Sequence, residues 1–275
     1  MSIYVSYYLK AAGSPHAPES FDDYLPFDPT AHPAEVTVVD RARSRLIVWS
    51  WDATIDRPVT YEDDGVLFVQ GYGDTPAETL ETRLLRAFRN GRPIEDSYGG
   101  FAALIHTDEE IFGYSSLTGM DPIFIFETPR FVAMSNRIAL LASLGTLTVR
   151  RDALISLCGR THLQDHGTAY EEITRLAPGG SLVVSDQGVK TTAGSLSRLV
   201  DSFDLETSVD YLTTAMAGFA FTLQQRRRPL AISLSGGKDS RAILALVDYA
   251  GQFDNEVTVQ TIGHHYDPEV LAARE

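Results

Sequence analysis

The chain has 275 residues, of which 44% are hydrophobic and 22% charged, enough apolar side chain for one large or two ordinary packed domains and too much for a disordered or fibrous protein. Its formal charge of −14 argues against a general nucleic-acid or anionic-membrane partner, and the one basic cluster, Arg226–Arg228, is too short to reverse that. No run approaches the roughly 18 apolar residues of a membrane helix, the first residues lack the basic region of a secretory signal, and the single cysteine, Cys158, fits a reducing, cytoplasmic setting.

In chain order, residues 1–190 are rich in strand signals. Ala34–Asp40, Leu46–Trp51 and Gly65–Gly71 carry β-branched and aromatic residues with partial alternation. Phe101–His106 and Ile111–Ser115 read as a hairpin about the acidic turn Thr107–Glu110. Pro122–Phe126 and Arg130–Met134 read as another about Glu127–Pro129. Helices are expected at Thr75–Asn90, with Pro76 just inside and Gly91 just after, at Ser135–Leu144 before Gly145, and at Arg151–Cys158, stopping at Gly159. A turn over Thr174–Gly180 leads into a strand at Ser181–Ser185, and Val189–Phe203 reads as a linker. This pattern predicts an α+β first domain with largely antiparallel sheets.

From Leu205 the texture changes. Tyr211, Leu212, Met216, Phe219 and Leu223 recur at helical spacing within Ser208–Gln225. A short apolar strand at Pro229–Leu234, a helix at Ser240–Tyr249, a strand at Glu256–Ile262 and a helix at Asp267–Glu275 follow. Such alternation is the start of a doubly wound α/β domain over 205–275, and two parallel strands alone cannot bury both faces, so the expectation is a truncated domain.

The strongest motif is Ser235-Gly236-Gly237-Lys238-Asp239-Ser240, between a strand and a helix. Glycines let the backbone approach a ligand, the helix start offers unpaired N–H groups, and the two serines add hydroxyls; together they make an anion cradle suited to phosphates. Asp239 makes sense beside phosphates when a divalent cation lies between. Gly-Gly alone would be an ordinary tight turn. A Walker-A loop does not fit, because Asp239 follows Lys238 and no glycine stands five positions before Gly237.

The hexapeptide resembles the pyrophosphate loop of the ATP-pyrophosphatases, which include asparagine synthetases, β-lactam synthetases, GMP synthetases and tRNA-modifying ligases. The resemblance implies an adenine-nucleotide α-hydrolase-like second domain that binds ATP and Mg²⁺. By resemblance, Ser235, Gly236, Gly237 and Ser240 hold phosphates, Lys238 adds a charge or is merely solvated, Asp239 binds the metal, and Leu234 and Ile262 flank the adenine. Val257–Gly263 is similar to the adenine-supporting strand, and Asp267 with Ala272-Ala273 to the helix after it. Lys238 departs from asparagine synthetases, which usually have an apolar residue there.

Tyr98–Ala103, Gly119–Phe124, Ser135–Leu141 and Leu176–Gly180 resemble, in order, segments of the asparagine synthetase amidotransferase domain. They imply the two-sheet fold of the N-terminal-nucleophile (Ntn) hydrolases over 1–190. A working glutaminase needs an N-terminal cysteine; Ser2 stands there, Gln70-Gly71 replaces the Asn-Gly oxyanion element, and Tyr98 replaces the carboxylate that holds the glutamine amine. Cys158 is expected to be a buried apolar residue. These departures resemble β-lactam synthetases and lasso-peptide cyclases, and imply an amide-forming ligase that adenylates a small-molecule or peptide carboxylate for attack by an amine, with an inactive glutaminase domain.

His264-His265 with Asp267 and Glu269 are weighed as a metal cluster and set aside, because neither histidine has a partner at ligand spacing. His162 and His166 are four apart, but Leu163 stands where a zinc helix needs glutamate and glycines flank the pair. The catalytic residues of the family lie beyond Glu275, so this chain alone is expected not to complete a turnover and to need a C-terminal half. Two alternatives stay open: a non-catalytic nucleotide-binding or regulatory protein, and a glutamine-dependent asparagine synthetase.

Overall fold

A computed structural model describes residues 2–10, 35–50, 59–62, 65–72, 78–91, 99–160, 163, 167–194, 209, 216, 229–249 and 256–273. The chain divides into two compact units, Met1–Gly73 with Leu80–Leu199, and Asp74–Thr79 with Val200–Glu275.

In the first unit the described strands are β1 (Ser2–Leu9), β2 (Glu35–Asp40), β3 (Ser44–Ser50), β4 (Val59–Glu62), β5 (Gly65–Tyr72), β6 (Gly100–His106), β7 (Ile111–Ser115), β8 (Phe124–Glu127), β9 (Phe131–Ser135), β10 (Ile173–Arg175), β11 (Ser181–Ser185) and β12 (Gly188–Thr192). The helices are α1 (Leu80–Arg89), α2 (Ile138–Ala142) and α3 (Arg151–Arg160). Two antiparallel sheets result, ordered β10-β8-β9-β1-β3-β2 and β12-β11-β7-β6-β5-β4.

Strand parity shows how they stack. Along β1, Tyr4 and Tyr8 join a cluster with Phe68 and Leu104 of the other sheet, while Ile3, Val5 and Tyr7 pack with Leu140 and Leu141 of α2. Along β6, Ala102 and Leu104 face the first sheet, and Phe101, Ala103 and Ile105 pack with Leu80 and Leu84 of α1. Each sheet therefore buries both faces, one against the other sheet and one under a helix. This is why β1 and β6 are nearly continuous apolar runs rather than alternating ones. Each large side chain sealed this way contributes roughly 1.5–3 kcal/mol.

Several expectations are corrected. The linker expected from Val189 begins instead as strand β12, with Val189 paired to Val184 and Gly188 at φ +96° closing the turn. Helix α3 runs through Gly159 to Arg160, because Gly159 is not in the left-handed conformation that would end it. Cys158 on that helix is exposed, since the helix buries only Ala153 among its residues. The helix expected over Ser135–Leu144 is shorter, because Ser135 closes β9 with its hydroxyl donating to Tyr4 O at 2.6 Å.

In the second unit β13 (Leu230–Ser233) and β14 (Val257–Gln260) pair in parallel, with helix α4 (Lys238–Tyr249) between them in sequence and α5 (Pro268–Ala272) after. The helix expected at Ser208–Gln225 lies outside the described residues except Val209 and Met216, both helical. Among the described residues no helix is long and apolar enough to cross a membrane.

Candidate functional site

The first unit gathers polar side chains at one end of the space between its sheets. Inward parity along β1, β3 and β5 carries Ser2, Ser50 and Gln70 there, and Asn136, just past β9, joins them. Asn136 ties the group together. Its Nδ2 donates to Ser2 O at 3.0 Å and to Gln70 Oε1 at 2.9 Å, and its Oδ1 accepts from Tyr4 N–H at 3.3 Å. Gln70 Nε2 in turn donates to Asp121 Oδ1 at 3.1 Å. Gly71 beside it has φ +103°, and a Cβ there would collide with Gly100 O and stand 2.8 Å from Asp121 Oδ2, so only glycine fits.

Ser2 Oγ lies 3.1 Å from Ser50 Oγ, and both residues are buried. A hydroxyl nucleophile needs a neighbouring base, and the Ser2 side chain forms no hydrogen bond to a titratable group among the described residues. Burial pushes the Asp121 carboxyl above its ordinary value, opposed by the Gln70 hydrogen bond. The Tyr4 hydroxyl is fully buried and has no hydrogen-bond partner among the described residues, and its phenol is pushed up, first by burial and then by the Asp121 charge. Ser2, Gln70 and Gly71 were singled out from the sequence; Ser50, Asn136 and Asp121 were not. Tyr98 lies outside the described residues, and Cys158 is exposed on α3.

A second buried group links the sheets further along. His106, fully buried, has Nε2 3.1 Å from Ser6 Oγ and Nδ1 3.0 Å from Ser44 Oγ. Burial, then the Arg41 charge, holds its pKa down to about 3. With both ring nitrogens engaged, this histidine is a neutral structural bridge.

In the second unit the six-residue motif joins β13 to α4. Ser240 Oγ accepts from Ser235 N–H at 3.0 Å, lies 3.1 Å from Ser235 Oγ, and is 3.2 Å from Ser235 O. Ser235 Oγ also accepts from Gly237 N–H at 3.1 Å. These bonds draw the loop back on itself and start α4 at Lys238, two residues before the expected Ser240. Gly237, Lys238 and Asp239 face solvent, Ser235, Gly236 and Ser240 are half-buried, and Leu234 is buried. Leu234 N–H donates to Gln260 O at 2.9 Å, so the exits of the two strands lie side by side. Ile262 is 89% exposed beyond the end of β14.

Asp267 Oδ2 accepts from His264 N–H at 2.8 Å, so this carboxylate serves the turn before α5. Among the described residues no group of three or more His, Cys, Asp or Glu side chains is placed to hold a metal ion. His162, His166 and Arg226–Arg228 lie outside the described residues.

No protein-family model and no curated protein matches the sequence. Among solved structures, glutamine phosphoribosylpyrophosphate amidotransferase from B. subtilis, complexed with ADP and GMP, is similar over 81% of this chain and 52% of its own, at 15% identity and a TM-score of 0.32. A structure described as the allosteric regulatory enzyme of purine biosynthesis is similar over 84% of this chain and 55% of its own, also at 15% identity and TM-score 0.32. The chain spans about half the length of these structures.

Proposed function

We propose that this chain belongs to an ATP-dependent amide-forming ligase of the asparagine synthase type, one that adenylates a carboxylate for attack by an amine and does not hydrolyse glutamine. The observation that carries the reading is the Ser235–Ser240 loop. It lies between a parallel strand and a 12-residue helix, has two serine hydroxyls at its base, and leaves Gly237, Lys238 and Asp239 open to solvent. A helix of that length presents N–H groups and a positive dipole end to an anion.

Mg²⁺ fits the donor set. Asp239 is exposed in the first turn of α4, and its carboxylate forms no ion pair among the described residues. Magnesium is commonly held by one or two carboxylates together with substrate phosphates and waters, without a protein cage. Bound there, it would neutralise phosphate charge as pyrophosphate leaves. Ser235, Gly236, Gly237 and Ser240 would orient the phosphates, Lys238 would add a positive charge, and Leu234 and Ile262 would border the adenine.

The first unit supports the second half of the reading. A serine stands where a glutaminase has its thiol, its hydroxyl is paired with Ser50, and the Asn136–Gln70–Asp121 chain ties up the neighbouring polar groups. The amine then comes from somewhere other than glutamine hydrolysed at Ser2.

Calorimetry with ATP, with and without Mg²⁺, on this chain and on Asp239→Ala tests the proposal. Magnesium-dependent binding that the variant loses is the expected result. A folded chain that binds no ATP under either condition would overturn it. Binding in both proteins without any effect of magnesium would favour a nucleotide-binding protein that is not a ligase.

A further inference from the structure

Between β14 and α5 the chain makes a tight turn that holds three rings out into solvent. Asp267 closes it twice, its N–H donating to His264 O at 2.8 Å and its Oδ2 accepting from His264 N–H at 2.8 Å. Gly263 enters the turn against the next helix, where a Cβ would stand 2.8 Å from Val270 Cγ2 and 3.0 Å from Asp267 Oδ2. The turn is thus pinned at both ends by its own backbone and by Asp267.

Turn corners favour Gly, Asn, Asp, Ser and Pro, each for a backbone reason. Here they are His264, His265 and Tyr266, all exposed, with Tyr266 at 76%. The rings associate with one another instead of packing into a core. His265 and Tyr266 have centroids 3.8 Å apart, His264 and His265 5.1 Å, and His264 and Tyr266 lie 6.5 Å apart and nearly parallel, at 11°. Backbone geometry accounts for Gly263 and Asp267 but not for three flat side chains in water. A flat, polarisable surface held on a rigid turn is suited to stacking against another flat ring.

Its location says which ring. β13 and β14 run parallel and in register from Leu230↔Val257 to Ser233↔Gln260, so the chain leaves both at the same edge. One exit is the Ser235–Ser240 loop, and the other reaches the ring turn within four residues of Gln260. Neighbouring strands are about 4.8 Å apart, and ligands of open α/β sheets lie outside the carboxyl ends of the strands.

We propose that His264, His265 and Tyr266 form the stacking face for the base of the nucleotide whose phosphates the Ser235–Ser240 loop holds, an inference that rests on the nucleotide reading above. Because the face offers ring area rather than a pattern of donors and acceptors, it favours purine over pyrimidine nucleotides and distinguishes adenine from guanine little.

The test compares ATP, GTP, UTP and inorganic tripolyphosphate, each with Mg²⁺, by calorimetry on the unaltered chain and on a His265→Ser/Tyr266→Ser variant. Both side chains are exposed, and the Asp267 bonds that close the turn use the backbone of His264, so circular dichroism should show the variant folded. The expected result is that ATP and GTP bind about tenfold tighter than tripolyphosphate, with UTP between. In the variant both purine nucleotides should weaken about tenfold, to the tripolyphosphate value, while tripolyphosphate itself is unchanged. Tripolyphosphate binding with no gain from a base, or an unchanged ATP affinity in the variant, overturns the stacking face and leaves the phosphate loop standing. Failure of all four ligands overturns both.

Discussion

Ser6 Oγ and His106 Nε2 meet at 3.1 Å across the two sheets of the first unit, 100 residues apart in sequence. On the other side of the same imidazole, Nδ1 lies 3.0 Å from Ser44 Oγ. A neutral imidazole has one donor and one acceptor nitrogen, and a serine hydroxyl serves either. Two serine hydroxyls can satisfy either form of the ring, so what opposes a second ring proton is the burial of the charge it would bring, not a lost hydrogen bond.

The folded chain takes up that proton near pH 3, against 6.5 for an ordinary histidine. Because the folded pKa is the lower one, the contribution of neutral His106 is whole above pH 6.5 and is lost as the pH falls from 6.5 toward 3, at about 1.4 kcal/mol per pH unit. His106→Gln keeps a donor and an acceptor but cannot titrate. Urea unfolding of both proteins at pH 7, 5 and 4 should show the wild type more stable at pH 7, with the gap closing or reversing at pH 4. A gap that stays constant with pH would remove the histidine from the explanation.

At the other polar end, Tyr4 buries a hydroxyl with no partner among the described residues. An unsatisfied buried polar group costs about 1–3 kcal/mol, whereas the ring itself contributes by packing on Phe68 at 4.8 Å between centroids. Tyr4→Phe is therefore expected to stabilise the first unit by about 1 kcal/mol, measured as a higher urea midpoint at unchanged slope. A loss of stability would mean that the hydroxyl is satisfied by a buried water.

Asn136 makes the opposite case, with three hydrogen bonds from one buried amide. Asn136→Ala strands Ser2 O, Gln70 Oε1 and the Tyr4 N–H, at a cost of about 2–4 kcal/mol. Asn136→Asp keeps the shape but turns a donor into an acceptor facing two oxygens, and should cost at least as much above pH 6. Lowering the pH to 4 should recover part of the Asp variant's loss, because its protonated form donates again. Thermal unfolding of the two variants at both pH values decides this.

What the sequence disclosed follows from the range of the interactions. The β6–β7 and β8–β9 hairpins are local, their turns sit at Thr107–Glu110 and Thr128–Phe131, and both were legible. The α4 loop is a contiguous motif between a strand and a helix, and it too could be read directly. Strand β1 gives no alternating signal, because it is buried on both faces. The hairpin at Gly188 leaves little trace in the sequence, because the largely exposed β12, Gly-Val-Lys-Thr-Thr, carries only one apolar residue. Cys158 was expected inside because cysteine usually is, but α3 buries a single small residue and leaves Leu154 and Ile155 exposed with it. Ser50, Asn136 and Asp121 meet partners 48, 134 and 51 residues away, and no spacing rule reports such pairs.

Ser240 separates the shape of the nucleotide loop from its charge. Its hydroxyl touches Ser235 at N, Oγ and O, yet the residue is only half-buried, so truncation removes loop order without opening a core. Ser240→Ala should change the unfolding free energy by less than about 1 kcal/mol. It should weaken magnesium-ATP by about tenfold, since the freed Ser235 N–H and hydroxyl no longer hold one geometry and a lost charge-assisted phosphate contact costs about 1.5–3 kcal/mol. Asp239→Ala should instead abolish the magnesium dependence while leaving magnesium-free ATP binding intact or tighter, because a like charge has been taken from beside the phosphates. Calorimetry of the two variants with and without magnesium distinguishes these roles. Identical behaviour of both would mean that loop order, not metal binding, is what Asp239 contributes.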